Sequence, residues 1–171
     1  MPASWLPFFC CCNPCPHCSP GPTPFHRTIT VSDVTLYPGC CGNQYRWTTP
    51  LSVDPNGVFE LTRPDPAGSP CVWSRSVPAE GVWSTWDPWH GDCVGDPDSA
   101  HVVSSLAHVL TRTADGWALE IRAVEDGGDY ILLFAGWTLD PVSECGPGVI
   151  PNDVLLCGYQ YGATGGTASV A

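Results

Sequence analysis

Apolar and polar residues alternate along several short stretches of the chain, a pattern typical of half-buried β-strands. The clearest case covers 117–124, where Trp117, Leu119 and Ile121 fall on one face and polar or small residues on the other. We expect these three side chains to point together into a dry interior. Similar short extended runs are predicted at residues 27–32, 44–48, 58–62 and 165–171.

The stretch 101–137 has the strongest strand pattern of the sequence. Residues 101–113 form a long β-leaning run, although 101–110 also fits a short helix. Residues 130–137 are apolar on both faces, which predicts a central strand. Because Gly-containing turns separate these two runs from 117–124, we expect the three to form an antiparallel meander.

Frequent chain reversals decide the fold class. The sequence contains 18 Gly and 19 Pro, which suits short strands joined by many turns and disfavours a helical protein. We therefore predict an all-β fold: an antiparallel β-sandwich, jelly-roll or Ig-like, of about seven to nine short strands. This domain spans 26–171, with the last strand, 165–171, at a sheet edge.

Residues 1–25 differ from the rest, because proline and cysteine dominate them. Proline removes backbone donors and disfavours helix at the preceding residue, so we predict an extended arm. Trp5, Phe8 and Phe9 are its candidate anchors, either on a neighbouring subunit or on the arm's own domain. The first residues lack the basic start of a secretory signal, so we expect either that a signal has been removed or that the protein leaves its cell by another route, such as lysis.

The chain is strongly acidic, with 17 Asp and Glu against six Arg or Lys and a formal net charge of −11. Such a surface repels phosphate backbones and anionic membranes, so we expect neither as a partner. No apolar run reaches the ~18–20 residues of a membrane span. The charge itself favours solubility.

Eleven cysteines suggest either disulfides in an oxidising compartment or a bound metal. The spacing Cys12-x2-Cys15-x2-Cys18 can grip one metal ion from a tight loop, with Cys40 and Cys41 completing the set. Structural zinc, disulfides and free thiols all remain open for this cluster, and no cofactor is certain.

Four later cysteines are disulfide candidates. Cys71 and Cys93 flank one loop-like segment, and Cys145 and Cys157 flank another. Each pair could staple a long loop and stabilise the fold by roughly 3 kcal/mol.

Four tryptophans between 72 and 93 pack a core or form a binding surface for sugars or proteins. They are Trp73, Trp83, Trp86 and Trp89. Sequence motifs of nucleophilic, zinc-dependent or nucleotide-binding enzymes are absent, so we predict that the protein is not an enzyme.

The order of motifs along the chain adds a resemblance. The cluster Cys10–Cys18 precedes the strand Phe25–Val31 and the pair Cys40-Cys41. A strand at Trp117–Leu119 and the terminal Gly165–Val170 follow. This layout resembles small cysteine-rich β proteins of tailed phages and planctomycete-type bacteria. The resemblance implies a virion or surface location and assigns no functional residue.

Together these observations predict a virion structural protein, either a head decoration or a tail-associated component, without enzymatic activity. We expect a homo-oligomer that contacts other virion or surface proteins. The alternative is an extracellular module that binds carbohydrate or protein through its Trp-rich region.

Overall fold

A computed structural model describes residues 25–37, 45–63, 71–86, 93, 95–114, 116–138, 147–154 and 161–171. These residues contain eleven β-strands and no helix, which confirms the all-β prediction. The strands are β1 (His26–Ser32), β2 (Thr35–Leu36), β3 (Tyr45–Thr49), β4 (Gly57–Thr62), β5 (Val72–Thr85), β6 (Ser99–Thr113), β7 (Gly116–Glu125), β8 (Tyr130–Trp137), β9 (Gly148–Pro151), β10 (Ala163–Thr164) and β11 (Thr167–Val170).

Nine of these strands form one antiparallel sheet with the order β8-β7-β6-β5-β4-β1-β11-β9, and β3 pairs with β5 beside β4. Strands β2 and β10 make a separate two-stranded sheet. The large sheet curls until its two end strands approach each other: the Asp153 N–H donates to the Ala135 carbonyl oxygen at 2.9 Å. The result is a nearly closed, barrel-like sheet whose opposite walls pack together as the layers of a sandwich do.

Bulges bend the strands toward this closure. The register shifts between Trp47 and Thr49, between Pro78 and Gly81, and between Val103 and Ser105. An extra residue in one strand of a pair increases its bend and twist, which lets a sheet of long strands curve around its core. The 14 residues of β5 and the 15 residues of β6 therefore wrap around the interior.

One side chain, Asn152, holds the seam between β8 and the chain that follows β9. Its Oδ1 accepts from the N–H groups of Ala135 and Val154, both at 3.1 Å. Its Nδ2 donates to the carbonyl oxygens of Leu133 at 3.2 Å and Gly165 at 2.7 Å. An amide has two donors and two acceptor positions, so the Asn152 side chain uses its whole hydrogen-bonding capacity, and its bonds to Ala135 and Leu133 join β8 to the chain that follows β9.

The interior holds one continuous hydrophobic core. Trp117 and Ile121 are 0% exposed and Leu119 is 1% exposed. These side chains therefore point into the interior, as the alternation at 117–124 predicts. The same alternation buries Ile29 and Val31 on β1 and leaves their neighbours outside.

The predicted meander is confirmed: β6 pairs with β7 and β7 with β8, both antiparallel. The helical interpretation of 101–110 is wrong, because these residues belong to β6. The chain bends at Pro55 before β4, where the Asn56 N–H donates to the Asp54 carboxylate at 2.9 Å.

Three expectations about individual strands need correction. The final strand, β11, is not at an edge, because β1 and β9 pair with its two sides. Strand β8 is not central in the sheet order; it ends the order, and contacts such as Gly162 N–H to the Leu132 carbonyl cover its outer edge. The segment between Cys71 and Cys93 was read as a loop, but most of it is β5.

Of the predicted arm, 1–25, only Phe25 lies among the described residues. The boundary between arm and domain therefore stays a prediction, as do the anchors Trp5, Phe8 and Phe9. Within the described ranges no helix is long and apolar enough to cross a membrane.

Candidate functional site

The predicted cysteines differ in what the structure says of them. Cys71 and Cys93 are each disulfide-bonded. Trp89 lies outside the described residues, and so do the other predicted cysteines. These cysteines are Cys12, Cys15, Cys18, Cys40, Cys41, Cys145 and Cys157. Among the described residues no group of three or more His, Cys, Asp or Glu could hold a metal ion.

Cys71 and Cys93 lie at opposite ends of β5. Cys71 precedes this strand, which at ~3.3 Å per residue extends for roughly 40 Å. Beyond the other end, the Trp86 Nε1–H donates to the Gly95 carbonyl oxygen at 3.2 Å, which keeps Cys93 near that end. The Cα atoms of a disulfide lie within about 7 Å of each other. The two cysteines therefore take part in separate disulfides rather than in one bridge across a loop.

The described members of the tryptophan group are interior residues. Trp73 is 0%, Trp83 8% and Trp86 5% exposed, so none of them presents a ring to solvent as a binding platform. Of the two interpretations of this group, core packing applies to these three. The predicted binding surface loses three of its four members.

Trp73 belongs to a buried stack of aromatic rings and guanidinium groups. The centroids of Trp73 and Trp117 are 5.7 Å apart, and the Arg27 guanidinium lies over both rings. The Arg112 guanidinium lies 5.4 Å from the Trp117 centroid. Burial lowers the pKa of both arginines, and for Arg27 the nearby Arg112 charge lowers the pKa further. The stack ties β1, β5, β6 and β7 together in the core.

An open cleft of about 650 Å³ lies on the outer face where β5 and β6 bulge. Its floor is apolar and includes Val82 and Val102, of which Val102 is 63% exposed. The chain after β3 forms one wall, because the Ser52 N–H donates to the Glu80 carbonyl oxygen at 2.7 Å. Among the described residues that line the cleft, Glu80 alone is charged. The site therefore suits an uncharged, apolar insertion.

A chain of hydrogen bonds connects Ser99, His101 and Glu125 near one end of the sheet. The Ser99 Oγ lies 2.9 Å from His101 Nε2, and His101 Nδ1 lies 2.9 Å from Glu125 Oε1. Thr85 Oγ1 is a second hydrogen-bond partner of the Ser99 hydroxyl. The His101 ring stacks on Trp83 at 3.8 Å between centroids, with 5° between the planes.

This series of hydrogen bonds was not predicted from the sequence. Ser99 and His101 are two residues apart, which places them on one face of a strand, and that spacing was visible in the sequence. Glu125 joins them only because β7 pairs with β6 so that Glu125 lies opposite Val103. That register cannot be obtained from spacing alone.

A comparison of the chain with protein families, with curated proteins and with solved structures finds no match. The fold and its sites define a class by themselves: a disulfide-bonded, antiparallel β-protein with a barrel-like sheet. The resemblance to phage and planctomycete-type proteins stays a prediction.

Proposed function

We propose that the protein is a structural component of a virion surface, or otherwise of an extracellular surface, and that it works through contacts between copies of itself. The observation that carries this proposal is the apolar cleft at the bulges of β5 and β6. An exposed apolar cleft on the outside of a well-packed sheet is a feature of surfaces that bind other proteins.

The disulfides support a location outside the reducing cytosol. Cys71 and Cys93 are both oxidised, and stable disulfides persist mainly in extracellular compartments and on virion or cell surfaces. The layout resemblance to phage proteins favours the virion among these places.

The occupant that we propose for the cleft is the N-terminal segment of a second copy. Residues 1–24 contain no Asp, Glu, Lys or Arg, in a chain whose net charge is −11. This segment can therefore approach another copy with little repulsion, and Trp5, Phe8 and Phe9 supply apolar side chains for the cleft. At ~3.3 Å per residue, 24 residues reach up to about 80 Å, enough to cross to a neighbour.

The alternative, an extracellular module that binds carbohydrate through tryptophan rings, has weaker support. Trp73, Trp83 and Trp86 are buried, so glycans would find none of these rings accessible. The exposed apolar residues near the cleft favour protein over carbohydrate as the ligand.

Two sets of substitutions in the full chain test the proposal. Val102→Asp places a carboxylate on the cleft floor, and the triple change Trp5→Ala, Phe8→Ala and Phe9→Ala removes the inserted side chains. We expect either to weaken self-association by about 100-fold, because an unpaired charge buried in an interface costs roughly 3 kcal/mol or more. Sedimentation equilibrium of the purified protein measures the association constant.

Val58→Asp is the matched control. Val58 is 69% exposed, similar to Val102, but it lies on β4, away from the cleft. The control should associate as the unmodified protein does. A monomeric unmodified protein, or a Val102→Asp variant that associates as strongly as the control, would contradict the proposal.

A further inference from the structure

The hydrogen-bonded chain of Ser99, His101 and Glu125 has the connectivity of a nucleophile, a general base and a carboxylate that orients the base. We propose that these three residues form a hydrolytic site that cleaves carboxylic esters by acyl transfer to the Ser99 Oγ. This activity is additional to the assembly role proposed above and depends on different residues. It departs from the prediction, made from the missing sequence motifs, that the protein is not an enzyme. Such sites are recognised by geometry and roles rather than by position in the sequence.

The two nitrogens of His101 have different partners, and each partner suits its role. Glu125 Oε1 lies 2.9 Å from Nδ1, so the carboxylate accepts a hydrogen bond from Nδ1–H and leaves Nε2 as an acceptor. The Ser99 hydroxyl lies 2.9 Å from Nε2, within the range needed for proton transfer. If Nε2 carried the proton instead, it could not accept the proton of the Ser99 hydroxyl.

Strand geometry holds the three groups without a specialised loop. Ser99 and His101 share a face of β6, and Glu125 ends β7, the next strand. Trp83 lies opposite His101 in the β5–β6 ladder and stacks on the imidazole. The flat stack fixes the ring plane, and the π-face of an indole stabilises the positive charge that the imidazole gains during catalysis.

The groups are partly open to solvent. The side chain of His101 is 29% exposed and that of Glu125 is 18% exposed. The turn after β7 leaves open space around Gly127 and Gly128, where an added Cβ would meet no atom within 4 Å. The partial exposure of His101 and Glu125 leaves both side chains within reach of a small substrate from solvent.

The reaction proceeds in two balanced steps. The Ser99 Oγ bonds to the ester carbonyl carbon while its proton moves to His101 Nε2. The ester C–O bond then breaks, and the leaving alkoxide takes that proton from the imidazolium. Water next attacks the acyl-enzyme, gives its proton to Nε2 and releases the carboxylic acid, while the Ser99 oxygen regains the proton.

The negative charge around the site determines which esters it hydrolyses fastest. Asp96 and Asp98 precede Ser99 in the sequence, Asp126 and Asp129 follow Glu125, and all four are exposed. With a net charge of −11, the protein repels anionic substrates and attracts cations. We expect hydrolysis to be fastest for a cationic ester, slower for a neutral one and slowest for an anionic one.

A fluorophosphonate probe tests the nucleophile in the full-length, oxidised protein. We expect one covalent adduct, mapped to Ser99 by peptide mass spectrometry. Ser99→Ala should abolish labelling, and His101→Gln should slow it by about 100-fold or more. Ser105→Ala is the matched control, because Ser105 lies on the same strand and outside the hydrogen-bonded chain; it should label normally.

Ester hydrolysis gives a second readout, with three 4-nitrophenyl esters that share a leaving group and differ in the charge of the acyl part: the esters of 4-(trimethylammonio)butanoic, butanoic and succinic acid are the cationic, neutral and anionic substrates. Ser99→Ala should lose turnover of all three, while its thermal unfolding stays like that of Ser105→Ala. Absence of a Ser99 adduct on the folded protein, or full turnover by Ser99→Ala, would overturn the proposal. Neither result bears on self-association, which the Val102→Asp experiment measures separately.

Discussion

His108 is a titratable residue placed in the hydrophobic core. It is 0% exposed, and its ring packs against Phe59 at 4.5 Å between centroids. Neither ring nitrogen has a hydrogen-bond partner among the described residues. Burial, and after it the neighbouring Arg75 charge, lowers the pKa of His108 to about 4. The residue is therefore neutral in the folded protein at physiological pH.

This depressed pKa makes stability depend on pH. Above about pH 6.5, His108 is neutral in both folded and unfolded chains and has no effect on the pH dependence. Between pH 6.5 and about 4 the unfolded chain takes up a proton that the folded chain refuses. We expect this to remove about 3 kcal/mol of unfolding free energy by the lower end of that range.

Urea denaturation of the native protein and of His108→Leu, at several pH values, measures this contribution. The variant should lose about 3 kcal/mol less than the native protein between pH 6.5 and 4, since leucine has no proton to gain. Parallel pH curves for the two proteins would contradict this, because they would show that the folded protein takes up the His108 proton as readily as the unfolded chain.

At this scale, sequence alone identified some residues and not others. Trp117, Leu119 and Ile121 were recognised as interior because alternation within one strand needs no knowledge of the neighbouring strands. His108 and Glu125 were not recognised, because their environments come from cross-strand partners. Pairing of distant segments decides which side chains meet.

Strand β8 approaches the end of β9 closely at Gly136. A Cβ at this position would lie 1.9 Å from the Pro151 carbonyl oxygen, which is backbone and cannot turn away. We expect Gly136→Ala to lower the unfolding free energy by about 2–3 kcal/mol, because the seam must shift to admit the methyl group.

Gly127→Ala provides the comparison, since nothing lies within 4 Å of its added Cβ. Thermal or chemical denaturation should place this variant within about 0.5 kcal/mol of the native protein. Equal stabilities for the two variants would mean that β8 and β9 do not meet at Gly136.

Strands in which apolar and polar residues alternate regularly were predicted from the sequence. Strand β5, which bends at a bulge, was not. In β5 the register shifts between Pro78 and Gly81, two residues that ordinarily mark turns, so this segment was read as a loop. The place of β11 between β1 and β9 was also missed, because two distant segments supply its neighbours. Local pattern indicates that a strand exists, but it does not give the strand order.

The whole molecule depends on covalent links at both ends of β5, its second-longest strand. Separate disulfides at Cys71 and Cys93 restrict the unfolded chain, and each such link typically contributes about 2–4 kcal/mol. We expect complete reduction to lower the unfolding free energy by at least about 3 kcal/mol. Thermal melts with and without dithiothreitol measure this change.

The double variant Cys71→Ser and Cys93→Ser separates these two links from others. It should melt below the native protein without reductant, and dithiothreitol should lower its melting temperature less. If reductant leaves the melting of the native protein unchanged, the two disulfides do not stabilise the fold.

Barrel-like closure is the part of the architecture that the sequence could not predict. A sandwich and a curled sheet share the same strands and the same alternation. They differ in where bulges bend the strands and in what joins the end strands. Here that join depends on Asn152, whose role becomes visible only once β8 and β9 are placed side by side.

The side-chain amide of Asn152 is subject to deamidation, a slow hydrolysis that converts asparagine to aspartate. Deamidation would replace its nitrogen with a carboxylate oxygen, directly facing the carbonyl oxygens of Leu133 and Gly165 that the nitrogen now serves. Two attractive contacts would become repulsive at once. Deamidation of this one side chain would therefore weaken the closure of the sheet between β8 and the chain that follows β9.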